Sequence, residues 1–193
     1  MELSDANLIT KFKQGDEKSF EYLVERYQHK IYNTTFRILG NHDDALDLAQ
    51  ETFIRVYNNL NTFKGKSTFS TWLFKISTNI CRDELRKRQT RISTYNLSEA
   101  DHQKTSYQKS NEHQDPEKIS LKNELNKNIQ VKIEQLPSEQ KTILVLREFQ
   151  DLSYAELSEV LDISMGTVKS RLSRARKALR SELYDIINEG GIK

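Results

Sequence analysis

Cysteine is nearly missing from this chain: among 193 residues there is one, Cys81. That excludes an intramolecular disulfide and any multi-cysteine zinc site. Cys81 lies in a helical pattern and reads as a partly buried small residue. Proline (2) and glycine (6) are scarce too. Their scarcity, with abundant Lys, Glu, Leu and Asn, favours an all-helical fold. No excess of one charge exists, because 30 basic and 28 acidic residues leave a net +2, so no attraction to polyanions by the whole molecule is expected. No segment approaches the roughly eighteen apolar residues that a membrane-crossing helix needs. The first residues, Met1 to Asp5, lack the basic and apolar regions of a secretory signal. The expected location is a reducing cytoplasm, with no membrane insertion. There is no P-loop, no zinc spacing and no nucleophile–base set, so neither an enzyme nor a cofactor is expected. Asp43, Asp44 and Asp47 could imitate a metal site, but acids on one helix face are not a cage.

What is present is concentrated in residues 152–179, LSYAELSEVLDISMGTVKSRLSRARKAL. Ser153 and Glu156 fit a capping box at a helix start. Leu157, Val160 and Leu161 supply an inward stripe. Asp162, Ile163 and Ser164 form a polar break around one apolar anchor, and Ser164 can cap the next helix. Gly166 leaves room there for a close neighbour. Val168, Leu172, Ala175 and Leu179 recur at helical spacing. Between residues 166 and 180 there are six basic residues and no acidic one. Like charges so crowded repel unless something neutralises them, and phosphates do so with release of counterions. A capped helix, a short turn and a basic second helix are the pattern of a helix-turn-helix, whose second helix enters the DNA major groove.

Residues 93–117 are polar, with no sustained apolar period. Such a segment cannot bury enough surface to offset its ordering entropy. It is expected to be a flexible linker between an N-terminal helical domain (1–92) and a C-terminal one (118–193). As a coil it spans about 25–30 Å on average and about 80–90 Å fully extended. His102 and His113 lie in it without ligand spacing.

In the N-terminal part, apolar stripes from Leu8 to Tyr32 break at Gly15-Asp16, and Gly40 is a natural helix stop. Asn41 then caps a helix over 43–60, with Ala45, Leu48, Ala49, Phe53, Val56, Tyr57 and Leu60 inward. Its other face carries Asp44, Asp47, Gln50 and Glu51. Acids in a first turn meet the helix dipole favourably, which does not cover Glu51. Asp47 and Glu51 are a like-charge i,i+4 pair that a basic partner surface would resolve. Next, a basic loop leads into a long helix. Phe69, Trp72, Leu73, Ile76 and Ile80 face inward, while Lys75, Asn79, Arg82 and Arg86 share one polar stripe. A cationic stripe beside aromatics suits single-stranded nucleic acid, although core packing of Phe69 and Trp72 and simple solvation of the stripe explain them too. Further on, Leu136-Pro137-Ser138 starts a helix that would brace the helix-turn-helix. Its Arg147 can reach a phosphate or pair with Glu148 or Asp151.

In order, Phe20-Glu-Tyr-Leu-Val24, Asp44-Ala-Leu-Asp-Leu-Ala-Gln-Glu-Thr-Phe-Ile-Arg-Val-Tyr57, Phe63-Lys-Gly-Lys-Ser-Thr-Phe-Ser-Thr-Trp-Leu73, Leu136-Pro137 and residues 154–177 resemble the sigma-70 family of bacterial RNA polymerase sigma factors. The group they resemble is the short extracytoplasmic-function (ECF) one. The resemblance implies core RNA polymerase as partner, through its β′ clamp helices and β flap. Asp44, Asp47, Gln50 and Glu51 would be the docking residues. It implies capture of an unwound −10 element by Phe63, Lys66, Ser67, Thr68, Phe69, Lys75, Asn79, Arg82 and Arg86. It implies duplex −35 reading by Lys169, Ser170, Ser173 and Arg174, with Arg147, Thr167 and Arg171 nearer the phosphates. Ser173 stands where some relatives place a larger side chain. The linker would be stretched, since the two promoter elements lie about 50 Å apart. An anti-sigma factor masking both domains is expected, holding the chain at the inner membrane face. The rival reading is a helix-turn-helix regulator that acts without polymerase; it leaves the acidic helix and the basic loop unexplained.

Overall fold

The computed structural model describes residues 3–95 and 128–189. Among the described residues all regular structure is helical. Helix α1 (Asp5–Lys13) is capped by Ser4, whose hydroxyl accepts the Asn7 N–H at 3.3 Å. Gly15, at φ +97°, breaks the chain before α2 (Lys18–Leu39). Leu23, Tyr27, Ile31 and Ile38 are its buried stripe, at spacings of four, four and seven. Gly40 ends α2 in the left-handed region at φ +74°. A side chain there would also come within 2.8 Å of the end of the Glu134 side chain, which can swing aside, so it is the backbone conformation that calls for glycine. Asn41 caps α3 (His42–Asn59) through the Asp44 N–H at 3.0 Å. A single 3-10 turn, Leu60–Thr62, leads to the loop before α4 (Phe69–Tyr95). A helix α5 is described from 128 to 134. Then follow α6 (Ser138–Glu148), α7 (Tyr154–Leu161) and α8 (Met165–Glu189). Helix α4 continues past residue 92, and the segment expected to be a linker, with His102 and His113, lies outside the described residues beyond Tyr95.

Two helical halves are present, and they pack on each other. One apolar cluster runs from Leu8, Leu23, Ile31 and Leu73 through to Ile143, Leu157, Val168 and Leu172. A second joins Ile38, Leu39 and Cys81 of the first half to Ile133, Leu136, Leu144, Val145 and Ala175 of the second. A fully buried Leu or Ile contributes about 2 kcal/mol, whereas an exposed ion pair contributes about 0–1 kcal/mol. The clusters therefore dominate. Polar contacts finish the seam. The Arg37 guanidinium sits 3.8 Å from the centre of the Phe149 ring, and burial lowers its pKa. Gln130 donates to the Arg37 carbonyl at 3.4 Å. Thr71 donates to Glu156 at 3.3 Å. Small domains bury too little of their own surface, which gives a physical reason for the shared seam. Cys81 is deep within it, and burial pushes its thiol up to about 12.

Candidate nucleic-acid interface

The helix-turn-helix forms from the bonds its sequence supplies. Ser153 Oγ accepts the Glu156 N–H at 3.3 Å, and Glu156 accepts the Ser153 N–H at 2.8 Å. The hydrogen bonds from Ser153 hold the Glu156 carboxyl below the usual carboxylate range. Asp162 closes α7 in the left-handed region at φ +54°. The turn is pinned by the Ile163 N–H on the Ser158 carbonyl at 3.1 Å and by the Ser158 hydroxyl on the Ile163 carbonyl at 2.5 Å. Ser164 accepts the Thr167 N–H at 3.2 Å and so caps α8. Leu157, Val160, Leu161, Val168 and Leu172 are buried together.

That packing aims the rest of α8 outward. Lys169, Ser170, Ser173 and Arg174 are exposed, and Thr167 and Arg171 are half-buried. Arg174 folds back along its own helix, donating to the Ser170 carbonyl at 3.3 Å. Arg176 is committed elsewhere: it donates twice to Glu148, at 3.0 and 2.7 Å, which raises its pKa. A groove of about 420 Å3 runs beside Tyr154, Lys169, Ser173 and Lys177. One reading changes. Arg147 pairs with neither Glu148 nor Asp151; it donates to the Leu152 carbonyl at 2.7 Å and lies 5.5 Å from the Tyr154 ring. Gly166 does leave room, and among the described residues an added Cβ would meet only Ser164 Oγ, at 3.8 Å.

The second cationic surface lies on the loop before α4 and on α4 itself. Thr68 caps α4, its hydroxyl accepting the Thr71 N–H at 3.2 Å. Phe69 is buried against Phe63, Trp72 and Tyr27, with centroids 6.2, 6.1 and 5.4 Å away. Phe63 and Trp72 are half-buried and 5.0 Å apart. Lys66 and Thr68 are exposed, Ser67 is half-buried, and Gly65 turns the loop at φ +67°. Along α4, Asn79, Arg82 and Arg86 are exposed and Lys75 is half-buried. Arg82 and Arg86 share a cleft of about 490 Å3 with Arg171, Glu139 and Asp162 of the other half. In that cleft Arg171 pairs with Glu139 at 3.0 Å.

The α3 face carries charge and apolar surface together. Asp47 and Gln50 are exposed; Asp44 pairs with Arg88 at 2.5 Å. The like-charge problem at Asp47 and Glu51 is eased within the chain, since Glu51 pairs with Arg55 at 2.7 Å. Leu46 and Ile54 are 44% and 56% exposed on the same side of α3, an arrangement that sequence reasoning missed. The signal was available: both fall off the buried positions Ala45, Ala49 and Val56.

These features define a class: an all-helical protein in two halves, with a helix-turn-helix, exposed cationic side chains on α4 and α8, and a mixed acidic and apolar face on α3. Residues 23–91 match the family described as Sigma-70 region 2, and residues 126–179 match Sigma-70, region 4. The ECF RNA polymerase sigma factor SigW of Bacillus subtilis is 38% identical, over 96% of this chain and 100% of its own length. The RNA polymerase sigma-H factor of Pseudomonas aeruginosa is 34% identical, over 96% of each chain. The sigma factor RpoE of Bartonella quintana, solved in complex with the anti-sigma factor NepR, has a similar fold: TM-score 0.71, 21% identity, 86% of this chain and 98% of that one. CnrH, solved with the cytosolic domain of CnrY, is also similar: TM-score 0.67, 22% identity, 93% of this chain and 96% of that one. The chain belongs to the sigma-70 family, in its ECF group. It is a promoter-recognising sigma factor of RNA polymerase, an initiation factor rather than an enzyme.

Proposed function

We propose that the three surfaces divide the work of initiation. Residues 1–92 dock on core polymerase and hold the opened −10 strand, residues 118–193 read duplex −35 DNA, and residues 93–117 tether them. On α3, Asp47 and Gln50 meet the β′ clamp helices, flanked by Leu46 and Ile54, with Asp44 and Glu51 as paired neighbours. The loop residues Phe63, Lys66, Ser67, Thr68 and Phe69 and the stripe Lys75, Asn79, Arg82 and Arg86 take the single strand. Lys169, Ser170, Ser173 and Arg174 face base edges, and Thr167 and Arg171 lie nearer the phosphates. Arg147 acts through the turn after α6, whose Leu152 carbonyl it holds. The observation that carries this reading is the separation of polarity. An acidic and apolar face on α3 and a cationic face on α8 stand exposed on different elements.

Reaching both promoter elements, about 50 Å apart, requires the seam between the halves to open. That frees Arg82, Arg86 and Arg171 from their common cleft. An anti-sigma factor that grips both halves regulates the chain, at the inner face of the membrane, within the cytoplasm; among the described residues no helix is long and apolar enough to cross it. Titrating core polymerase with Leu46→Ser/Asp47→Ala tests the docking face. Its affinity should fall while its melting temperature matches wild type, because both residues are exposed. Unchanged affinity would contradict the docking role.

A further inference from the structure

Helix α1 lies before the residues matched by the region 2 family, which begin at 23. It nevertheless touches both working parts of the first half. Lys13, in its last turn, donates to the Phe63 carbonyl at 2.6 Å. The Phe63 N–H is already bonded to the Leu60 carbonyl at 3.1 Å. Both backbone polar groups of Phe63 are thus occupied where the basic loop departs, and Thr68 fixes the loop's other end as the cap of α4. A second link starts at Asp5, which accepts hydrogen bonds from Arg26 and, at 2.5 Å, from the Tyr27 hydroxyl. Burial and the Asp5 bond raise the Tyr27 pKa, so the hydroxyl stays a donor. The Tyr27 ring meets Phe69 edge-on at 5.4 Å. A third link is Phe12, whose ring meets Tyr57, near the end of α3, edge-on at 5.3 Å.

We propose that α1 is a brace that sets the −10 loop relative to the docking helix, with Lys13 and Asp5 as positioning residues. This rests on the reading of residues 63–69 as the −10 loop. Lys13 is exposed, so its bond adds little to global stability. Its effect is local, because a carbonyl held at the start of a glycine-containing loop restricts where the loop can go. The chemistry of the contact is general: an ammonium donor and a backbone acceptor, which arginine can also satisfy.

The test uses the full-length chain with core polymerase. Fluorescence anisotropy measures capture of a single-stranded −10 oligonucleotide, with duplex −35 binding and core affinity read in parallel. Lys13→Met should weaken single-strand capture about three- to tenfold, the range of one lost hydrogen bond. The other two affinities and the melting temperature should match wild type. Lys13→Arg should restore capture, and Asp5→Asn should weaken it in the same assay. Wild-type capture by Lys13→Met would overturn the brace, as would a parallel loss in all three assays together with a lowered melting temperature. Asn79→Ala separates the two levels. If it lowers capture while Lys13→Met does not, the brace fails and the −10 reading stands. If neither variant changes capture, the −10 reading fails with it.

Discussion

The two surfaces proposed to hold nucleic acid are built in opposite ways. The helix-turn-helix is assembled from neighbours in sequence. Its cap joins Ser153 to Glu156, its turn joins Ser158 to Ile163, and its second cap joins Ser164 to Thr167. The proposed −10 surface is assembled from distant segments. Phe63 is held by Lys13, fifty residues earlier, and Phe69 leans on Tyr27. The helix-turn-helix takes its caps and turn from its own residues and shares only its apolar side and the Thr71 bond to Glu156 with the first half, whereas an element assembled from afar can be disturbed from any of its supports.

The largest expected effect lies in the local element. Leu172 is buried at its centre, so Leu172→Ala should cost about 2–5 kcal/mol. Denaturant unfolding measures this, and a cost under about 1 kcal/mol would show that α8 is not held by that core. The same curve sharpens the comparison, because the shared clusters predict one cooperative transition and two independent halves would give two.

A smaller effect is expected at the cap. Ser153→Ala should lose about 1 kcal/mol. The depressed carboxyl of Glu156 also gives a pH dependence. A carboxyl lowered in the folded state stabilises above its unfolded value, near about 4.3, and that contribution is lost as pH falls through the folded value. Acid titration of stability should therefore be shallower in Glu156→Gln than in wild type. Identical slopes would remove Glu156 from the account.

An effect of comparable size concerns the seam. Arg37 over Phe149 is worth about 0.5–2 kcal/mol, so Arg37→Ala should open the halves more often. Cys81, the chain's one thiol, reports this: its labelling by an aromatic disulfide should quicken in the variant. An unchanged rate would mean that the arginine does not hold the seam.

This contrast explains what could be read in advance. The caps at Asn41, Ser153 and Ser164 and the stop at Gly40 are short-range rules, and the structure carries each of them. The outward set on α8 follows from helical spacing around Val168, Leu172 and Ala175. The seam was not legible, because Arg37 and Phe149 come together only once both halves are folded. Arg147 is expected at a phosphate or beside Glu148 or Asp151, and the sequence carries no signal for the backbone carbonyl of Leu152 to which it donates, because that contact depends on the turn after α6. Glu51 looked like unbalanced charge only until Arg55, one turn further on, was counted with it. Leu46 and Ile54 stand among the polar residues of α3, off the buried positions Ala45, Ala49 and Val56, so their exposure follows from helical spacing.

The measurement that tests the division of labour most directly is sequencing of the transcripts made in vitro by core polymerase with the wild-type chain, Arg174→Ala or Asn79→Ala. Aligned upstream sequences show which promoter element each variant still selects. Arg174→Ala should relax selection at the −35 element alone, by about 1–3 kcal/mol if it contacts a base edge. Asn79→Ala should relax selection at the −10 element alone. Loss of selection at both elements in either variant, or at neither, would contradict the account.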